Sequence, residues 1–142
     1  MIVKLIPKQI PTFWEVIKSC SKEDYLLPEA YQSYYNELLH ALLSYKAQCF
    51  VQLDKDRLLT WITITRLQGD LATGEKALKL QAMDFWMPAQ NINPEEYMDI
   101  LKKFAKQEGC SRITFETSNK IVMEKVQTFG FVERVRQFDY RL

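Results

Sequence analysis

The spacing of apolar residues predicts two amphipathic helices behind a short opening strand. The stretch MIVKLI is typical of a strand, which Pro7 ends. Apolar residues then recur at i, i+3, i+4 and i+7 within residues 12–20, one face of a helix, and Thr12 and Glu15 are spaced for a capping box. A second helix is expected from Pro28, since proline is favoured in a first turn. The apolar stripe of that helix consists of Tyr31, Tyr34, Tyr35, Leu38 and Leu42.

From residue 47 the period of the pattern changes to two. Residues 48–53 and 58–67 are rich in β-branched and aromatic side chains and flank the charged stretch DKDR, which predicts a β-hairpin. Residues 77–87 follow a turn with two glycines and read as a third strand of this run, which Pro88 ends.

The remaining third of the chain returns to alternating helices and strands. Residues 95–108 form the strongest helical pattern, and Gly109 stands where a left-handed cap is expected. A strand at 111–117 and a short helix that ends at Gly130 follow. The final stretch, 132–142, is predicted to be a strand with Phe138, Tyr140 and Leu142 on one face.

This order of elements predicts an α+β fold with α/β/α layers. A strand–helix–strand connection makes its two strands parallel, so the sheet is expected to be mixed, mostly antiparallel, with helices on both faces. No repeat, linker or low-complexity stretch divides the sequence, so we expect a single domain spanning residues 1–142.

Composition and charge argue against several functional classes. A net charge of +1 supplies no field to attract nucleic acid, and the charges of Glu133 and Asp139 interrupt the arginines of the final stretch. No apolar run is long enough to span a membrane, and no signal peptide is evident at the start. We therefore expect neither a nucleic-acid partner nor a membrane.

The cysteines and the histidine indicate an intracellular setting without a metal. Cys20, Cys49 and Cys110 are odd in number and widely spaced, which favours reduced, mostly buried thiols in the cytoplasm. His40 is the only histidine and is expected on a helix surface, so neither a metal site nor histidine-dependent nucleophilic catalysis is indicated.

The late part of the chain resembles the GNAT (general N-acetyltransferase) superfamily. Gly109 before a strand, Asn119 after it, a short helix and then Gly130–Phe131 match the family's signature, and the element order corresponds over the whole chain. The resemblance implies a GNAT-like fold. It also implies that any acetyl-coenzyme A would bind where the fourth and fifth strands separate.

The loop that holds the cofactor's pyrophosphate in this family would fall on residues 89–95. It contains neither a glycine nor a basic residue here, although Gln90 matches its first position. Asn93 is instead placed to cap the next helix, Pro94 to fill its first position, and Glu95 and Glu96 to neutralise the positive end of its dipole. We therefore expect that no cofactor binds.

The resemblance also assigns candidate site residues. Many family members protonate the leaving thiolate with a tyrosine, but that position is Val126 here. Asp84 is the candidate general base, and Glu116 is a weaker one. If acetyl-coenzyme A is used, the residues expected to contact it are Met83, Phe85, Trp86, Gln90 and Asn119.

Two functions follow from these observations. The first is a GNAT-fold protein that has lost acetyl-coenzyme A catalysis and binds a protein partner as an interaction or assembly component. By analogy with small proteins of this fold in phages, it would be a component of a virion. The alternative is an active N-acetyltransferase with an atypical pyrophosphate site. We therefore expect this protein in the cytoplasm, or in a virion if it comes from a phage. The acyl acceptor and the oligomeric state stay open.

Overall fold

The structure, a computed structural model, describes residues 2–22, 26–86, 93–117 and 120–142. Its strands are β1 (Ile2–Lys4), β2 (Ala47–Leu53), β3 (Leu59–Gly69), β4 (Lys76–Phe85) and β5 (Arg112–Phe115). Its helices are α1 (Ile10–Cys20), α2 (Tyr31–Leu43), α3 (Pro94–Gln107) and α4 (Lys120–Thr128). Short 3-10 turns, Pro7–Gln9 and Pro28–Ala30, lead into α1 and α2.

The strands form one sheet in the order β1-β2-β3-β4-β5. Neighbours pair antiparallel except β4 and β5, which are parallel because α3 carries the chain back between them. The predicted α+β class and the mixed, mostly antiparallel sheet are confirmed.

A hydrophobic core lies on each face of the sheet, as the layered prediction requires. On one face, which we call the α1–α2 side, helices α1 and α2 pack against the sheet. Ile17, Leu38 and Ile62 are fully buried in the core there. The α3 side joins α3 to the opposite face through Leu78 and Leu101. Burying each such side chain contributes about 1.5–3 kcal/mol.

The predicted capping box at the start of α1 is wrong. The helix begins at Ile10, two residues earlier, which places Thr12 and Glu15 inside its first turns. The earlier start is compatible with Pro11, because the first backbone N–H groups of a helix need no partner within it. The Gln9 side chain instead accepts from the backbone N–H of Ile6 at 2.9 Å.

The predicted final strand is also wrong. The structure assigns no strand to residues 131–142, although the expected alternation is present in the sequence. The Nε of Arg136 donates to Glu133 at 2.7 Å, a contact between residues three apart, whereas a strand would point these side chains to opposite faces.

The two predicted glycine helix ends are confirmed. Gly109 follows α3 with φ of 76°, and Gly130 follows α4 with φ of 91°. Only glycine adopts this left-handed conformation without strain, so each marks where its helix ends.

Candidate functional site

The pairing of β4 with β5 ends halfway along β4. It runs from Ala77 opposite Arg112 to Leu80 opposite Phe115. Over the described residues beyond this point, β4 continues to Phe85 paired with β3 but not with β5. We call this point, after Leu80 and Phe115, the fork. It lies where the family resemblance placed the separation of the fourth and fifth strands.

A β-bulge interrupts β4 at the fork. Ile64 of β3 pairs with Ala82 and its neighbour Thr65 pairs with Leu80, so Gln81 has no partner residue on β3. An extra residue reverses the faces of all side chains beyond it. Leu80 therefore packs on the α3 side, whereas Ala82 packs on the α1–α2 side.

The side chain of the bulged residue is held by a polar network. Arg66 donates to Gln81, and Gln81 in turn donates to the Tyr34 hydroxyl at 2.8 Å. Tyr34 donates to the backbone oxygen of Ser21 at 2.9 Å. The network thereby ties the bulge to α2 and to the end of α1.

Arg66 also joins this network to an acid on α2. Its guanidinium binds both carboxylate oxygens of Glu37, with one contact at 2.7 Å. Hydrogen bonding from Arg66 lowers the pKa of Glu37 below its ordinary value. This bidentate pair is partly shielded from water, because the Arg66 side chain is only 19% exposed.

Sequence reasoning did not identify this network, but a signal for the bulge was present. In β4 the apolar positions are Leu78 and Leu80, and then Met83 and Phe85. This change of parity indicates one extra residue between the two pairs.

The two predicted catalytic acids lie in different surroundings. Asp84 is half-buried on the α1–α2 side, opposite Ile62, and sits near Cys20. Burial, with a smaller effect of the Asp84 charge, raises the pKa of Cys20 to about 12. Glu116 is mostly exposed and forms an ion pair with Lys79 at 3.2 Å. Of the two, Asp84 is the acid that the bulge positions.

The predicted cofactor contacts are only partly described. Met83 is half-buried and packs on the α3 side, and Trp86 is 51% exposed with its backbone N–H bonded to Thr60 at 2.8 Å. The side chain of Phe85 and the whole of Gln90 and Asn119 lie outside the described residues. Their predicted roles stay predictions.

The start of α3 is capped by the protein itself. The Asn93 side chain accepts from the backbone N–H of Glu96 at 3.2 Å, and the Asn93 backbone oxygen accepts from Tyr97 at 3.2 Å. Pro94 has no N–H to offer. The free backbone N–H groups at the start of a helix are what usually binds an anion. Of the first four residues of α3, only Glu95 keeps a backbone N–H that takes no part in these bonds.

The surface beside this helix start is acidic. A hollow of about 380 Å³ is lined there by Asn93, Glu95, Glu96, Asp99, Ile100 and Lys103. Three carboxylates thus face one ammonium group. This balance disfavours a phosphate at the place where the family resemblance puts it.

Aromatic packing fixes α3 against the sheet one turn further on. The ring of Tyr97 meets that of Trp61 edge-on, with centroids 4.5 Å apart. Burial raises the pKa of Tyr97 above its ordinary range, with a smaller opposing effect from Thr63. The Tyr97 phenol therefore stays neutral at physiological pH, and its ring serves packing.

The described residues give no support for a metal site or for a membrane-spanning helix. Residues 2–22, 26–86, 93–117 and 120–142 contain no group of three His, Cys, Asp or Glu side chains able to hold a metal ion. His40 is exposed on α2, as predicted, and the three cysteines are free thiols. Over the same ranges, no helix has the length and apolar character to cross a membrane.

Comparisons of sequence identify no relative. No family model matches the chain, and no curated protein matches it either.

Comparisons of structure identify the fold. The aminoglycoside acetyltransferase AAC(6')-Iy, in complex with a bisubstrate analogue containing CoA, superposes with a TM-score of 0.70 and 17% identity, covering 100% of this chain and 97% of that one. A ribosomal-protein-alanine N-acetyltransferase from Brucella melitensis biovar Abortus 2308 gives a TM-score of 0.68 at 13% identity, with coverages of 100% and 99%. An aminoglycoside acetyltransferase from an uncultured soil metagenomic sample gives 0.71 at 12%, with coverages of 100% and 97%.

These matches define the class of fold: the chain has the fold of the acetyltransferases. It is the GNAT fold in particular, so the resemblance drawn from the late motif is confirmed at the level of the fold. At such low identities the match carries the architecture alone, and what the neighbours bind stays a property of those proteins.

Proposed function

We propose that this chain uses the GNAT fold as a protein-interaction or assembly component, such as a virion subunit, and that it does not use acetyl-coenzyme A. The observation that carries the proposal is the start of α3. There a cap, a proline and two carboxylates occupy the position at which a cofactor's pyrophosphate would rest.

Electrostatics give the expected size of the effect. Two unit charges 4 Å apart repel by about 4 kcal/mol at an effective dielectric of 20, and by about 1 kcal/mol in bulk water. Glu95 and Glu96 are exposed, so the lower figure applies to each contact with a phosphate charge. Because about 1.4 kcal/mol is tenfold in affinity, two such contacts weaken binding by a factor of roughly 10 to 100. The missing N–H donors weaken it further.

The interaction part of the proposal is supported by exposed apolar side chains near the end of the chain. Val132, Val135, Phe138, Tyr140 and Leu142 are each at least 79% exposed. Large apolar side chains left exposed along one segment are compatible with a surface that a protein partner covers.

Calorimetry with acetyl-coenzyme A tests the loss of cofactor binding. We expect no heat of binding up to millimolar ligand. We also expect Glu95→Gln with Glu96→Gln to produce measurable binding, because the repulsion is removed. Glu29→Gln with Glu124→Gln removes the same charge elsewhere on the exposed surface and is expected to leave binding absent. A low-micromolar dissociation constant for the unaltered protein would refute the proposal.

The second candidate function is an N-acetyltransferase, which the fork and the bulge favour. In that reaction the amine attacks the acetyl carbonyl, the carbon–sulfur bond breaks, and the thiolate leaves. Asp84 would take the amine proton. The assay is release of free thiol from acetyl-coenzyme A in the presence of a panel of primary amines. Activity that Asp84→Asn abolishes and Glu116→Gln preserves would establish this alternative over the first.

A further inference from the structure

We propose that one water molecule is bound inside the protein between β3 and the first turn of α3, held by the side chains of Trp61, Thr63 and Tyr97. We call this place the water site. It is independent of the proposed function, because it holds whether or not acetyl-coenzyme A is used.

Three buried polar atoms mark the water site. They are the Nε1 of Trp61, the Oγ1 of Thr63 and the Oη of Tyr97, and none of them has a hydrogen-bond partner among the described residues. The three residues are only 3%, 0% and 8% exposed, so bulk solvent does not reach these atoms either. Burying a polar group without a hydrogen bond costs free energy, and native proteins seldom leave one unsatisfied.

The three side chains lie together. Trp61 and Thr63 are two residues apart on β3 and therefore point to the same face of the sheet, the α3 side. The ring of Tyr97 reaches down from α3 and meets that of Trp61 edge-on at 4.5 Å. Thr63 is close enough to Tyr97 to oppose the rise in its pKa, yet the two hydroxyls fall short of hydrogen-bond geometry. A small molecule between them would therefore be within reach of all three residues.

The surrounding side chains do not supply the missing partners. The neighbours of Thr63 across the sheet are Phe50 on β2 and Met83 on β4, and both are apolar. Gln52, which lies opposite Trp61 on β2, is polar, but within the described chain it bonds to none of the three atoms. The partner must therefore come from outside the polypeptide.

A second buried threonine on the same strand shows the contrast. Thr65, two residues beyond Thr63 and equally buried, donates from its Oγ1 to the Oε1 of Gln48 at 2.8 Å. The amide nitrogen of Gln48 donates in turn to the backbone oxygen of Tyr45. The fold thus satisfies one threonine of this face by a direct bond and leaves the other beside two more unsatisfied groups.

The donors and acceptors identify the ligand as water. The indole N–H of Trp61 only donates, whereas each hydroxyl can donate once and also accept. A water molecule can accept from Trp61 and from Tyr97 and donate to Thr63, which gives it the roughly three bonds typical of a buried water. An ion is disfavoured, because three neutral groups cannot offset its loss of hydration.

The water site joins the first turn of α3 to the middle of the sheet. Tyr97 is the fourth residue of α3, in the same turn that the Asn93 side chain caps. A bridging water is nearly as favourable as a direct hydrogen bond. We therefore expect the start of α3 to be fixed both by its cap and by this bridge.

Nuclear magnetic resonance of the ¹⁵N-labelled protein tests the proposal. The indole N–H of Trp61, assigned with Trp61→Phe, should show a cross-peak to water that has opposite signs in laboratory-frame and rotating-frame experiments. Opposite signs indicate a long-lived bound water, whereas hydrogen exchange gives equal signs. The indole of Trp86, which is 51% exposed, is the internal control and should show no long-lived contact. Absence of a long-lived water at Trp61 would overturn the proposal.

Variants of the other two ligands test how the water is held. Thr63→Val and Tyr97→Phe each remove one hydroxyl with little change of shape, and each should abolish the long-lived contact at Trp61 while circular dichroism stays unchanged. Thr63→Ser keeps the hydroxyl and should keep the contact. Gln52→Leu, on the same face, is the matched control and should also keep it. The proposal is overturned if a folded Thr63→Val or Tyr97→Phe retains the contact, or if Gln52→Leu loses it.

Discussion

Replacing Arg66 with methionine removes the guanidinium that joins α2, β3 and the bulge of β4. Methionine keeps most of the apolar stem, so the change isolates the polar contacts. Gln81 loses a charged donor, and Glu37 loses its bidentate partner.

The structure sets the size of this loss. A hydrogen bond from a charged donor contributes about 1.5–3 kcal/mol, and the half-buried Gln81 calls for the lower end of that range. The ion pair adds about 0.5 kcal/mol, because the Glu37 side chain is 58% exposed and is screened by solvent. The expected total is about 2 kcal/mol. For 142 residues the entropy of unfolding is about 0.3 kcal/mol/K, so the melting temperature should fall by roughly 7 °C.

Acid titration provides a second readout of the same contact. The folded-state pKa of Glu37 lies below its ordinary value of 4.5, so its stabilising effect is fully present above pH 4.5 and is lost as the pH falls through the folded pKa. The ion-pair part of the difference between Arg66→Met and the unaltered protein should therefore shrink as the pH falls below 4.5 and through the lowered pKa of Glu37.

Thermal melts followed by circular dichroism at pH 7 and at pH 3 measure both effects. Lys79→Met breaks the mostly exposed pair with Glu116 and is the matched control, expected to cost less than about 1 kcal/mol. A melting temperature for Arg66→Met within about 2 °C of the unaltered protein, or equal to that of the control, would refute the reasoning.

Three further outcomes are expected. Asn93→Ala removes the cap of α3 and should cost about 1 kcal/mol in a thermal melt, whereas Asn93→Asp should keep the stability; equal losses would contradict the capping role. Gly109→Ala should cost about 1–2 kcal/mol in the same assay, because its φ is 76° while its Cβ would meet no atom within 4 Å. At pH 8 a thiol reagent should label Cys110 before Cys20 and Cys49, because burial raises the pKa of all three thiols but most strongly those of Cys20 and Cys49; rapid labelling of all three before unfolding would contradict the packing.

Much of the fold was predictable because the periodicity of the chain is strong. Residues 48–53 and 58–67 alternate with β-branched side chains and became β2 and β3, and the stripe ending in Leu38 and Leu42 became the buried face of α2. The wrong prediction of a final strand shows the limit of this signal. Residues 137–142 alternate clearly, but a strand also needs a neighbouring backbone to bond, which the period of the sequence cannot supply.

The candidate site was less predictable than the fold. The cap at Asn93 followed from local chemistry and is present as expected. The polar network that holds Gln81 could not be anticipated, because its other members, Arg66, Tyr34 and Glu37, come from distant parts of the chain. Such contacts depend on the register of two strands and the placement of a helix, which a single sequence does not encode locally.

The unpaired residue at position 81 has a consequence for how β4 tolerates change. Removing that one residue would bring Ala82 directly after Leu80, still opposite Ile64 and Thr65 of β3. Met83 would then keep its place beneath α3, and Asp84 would keep facing α1 and α2. The deletion would remove only the side chain that Arg66 and Tyr34 bind. A related sequence can therefore lack this residue without turning Asp84 to the other face, and the gap in an alignment belongs at the bulge.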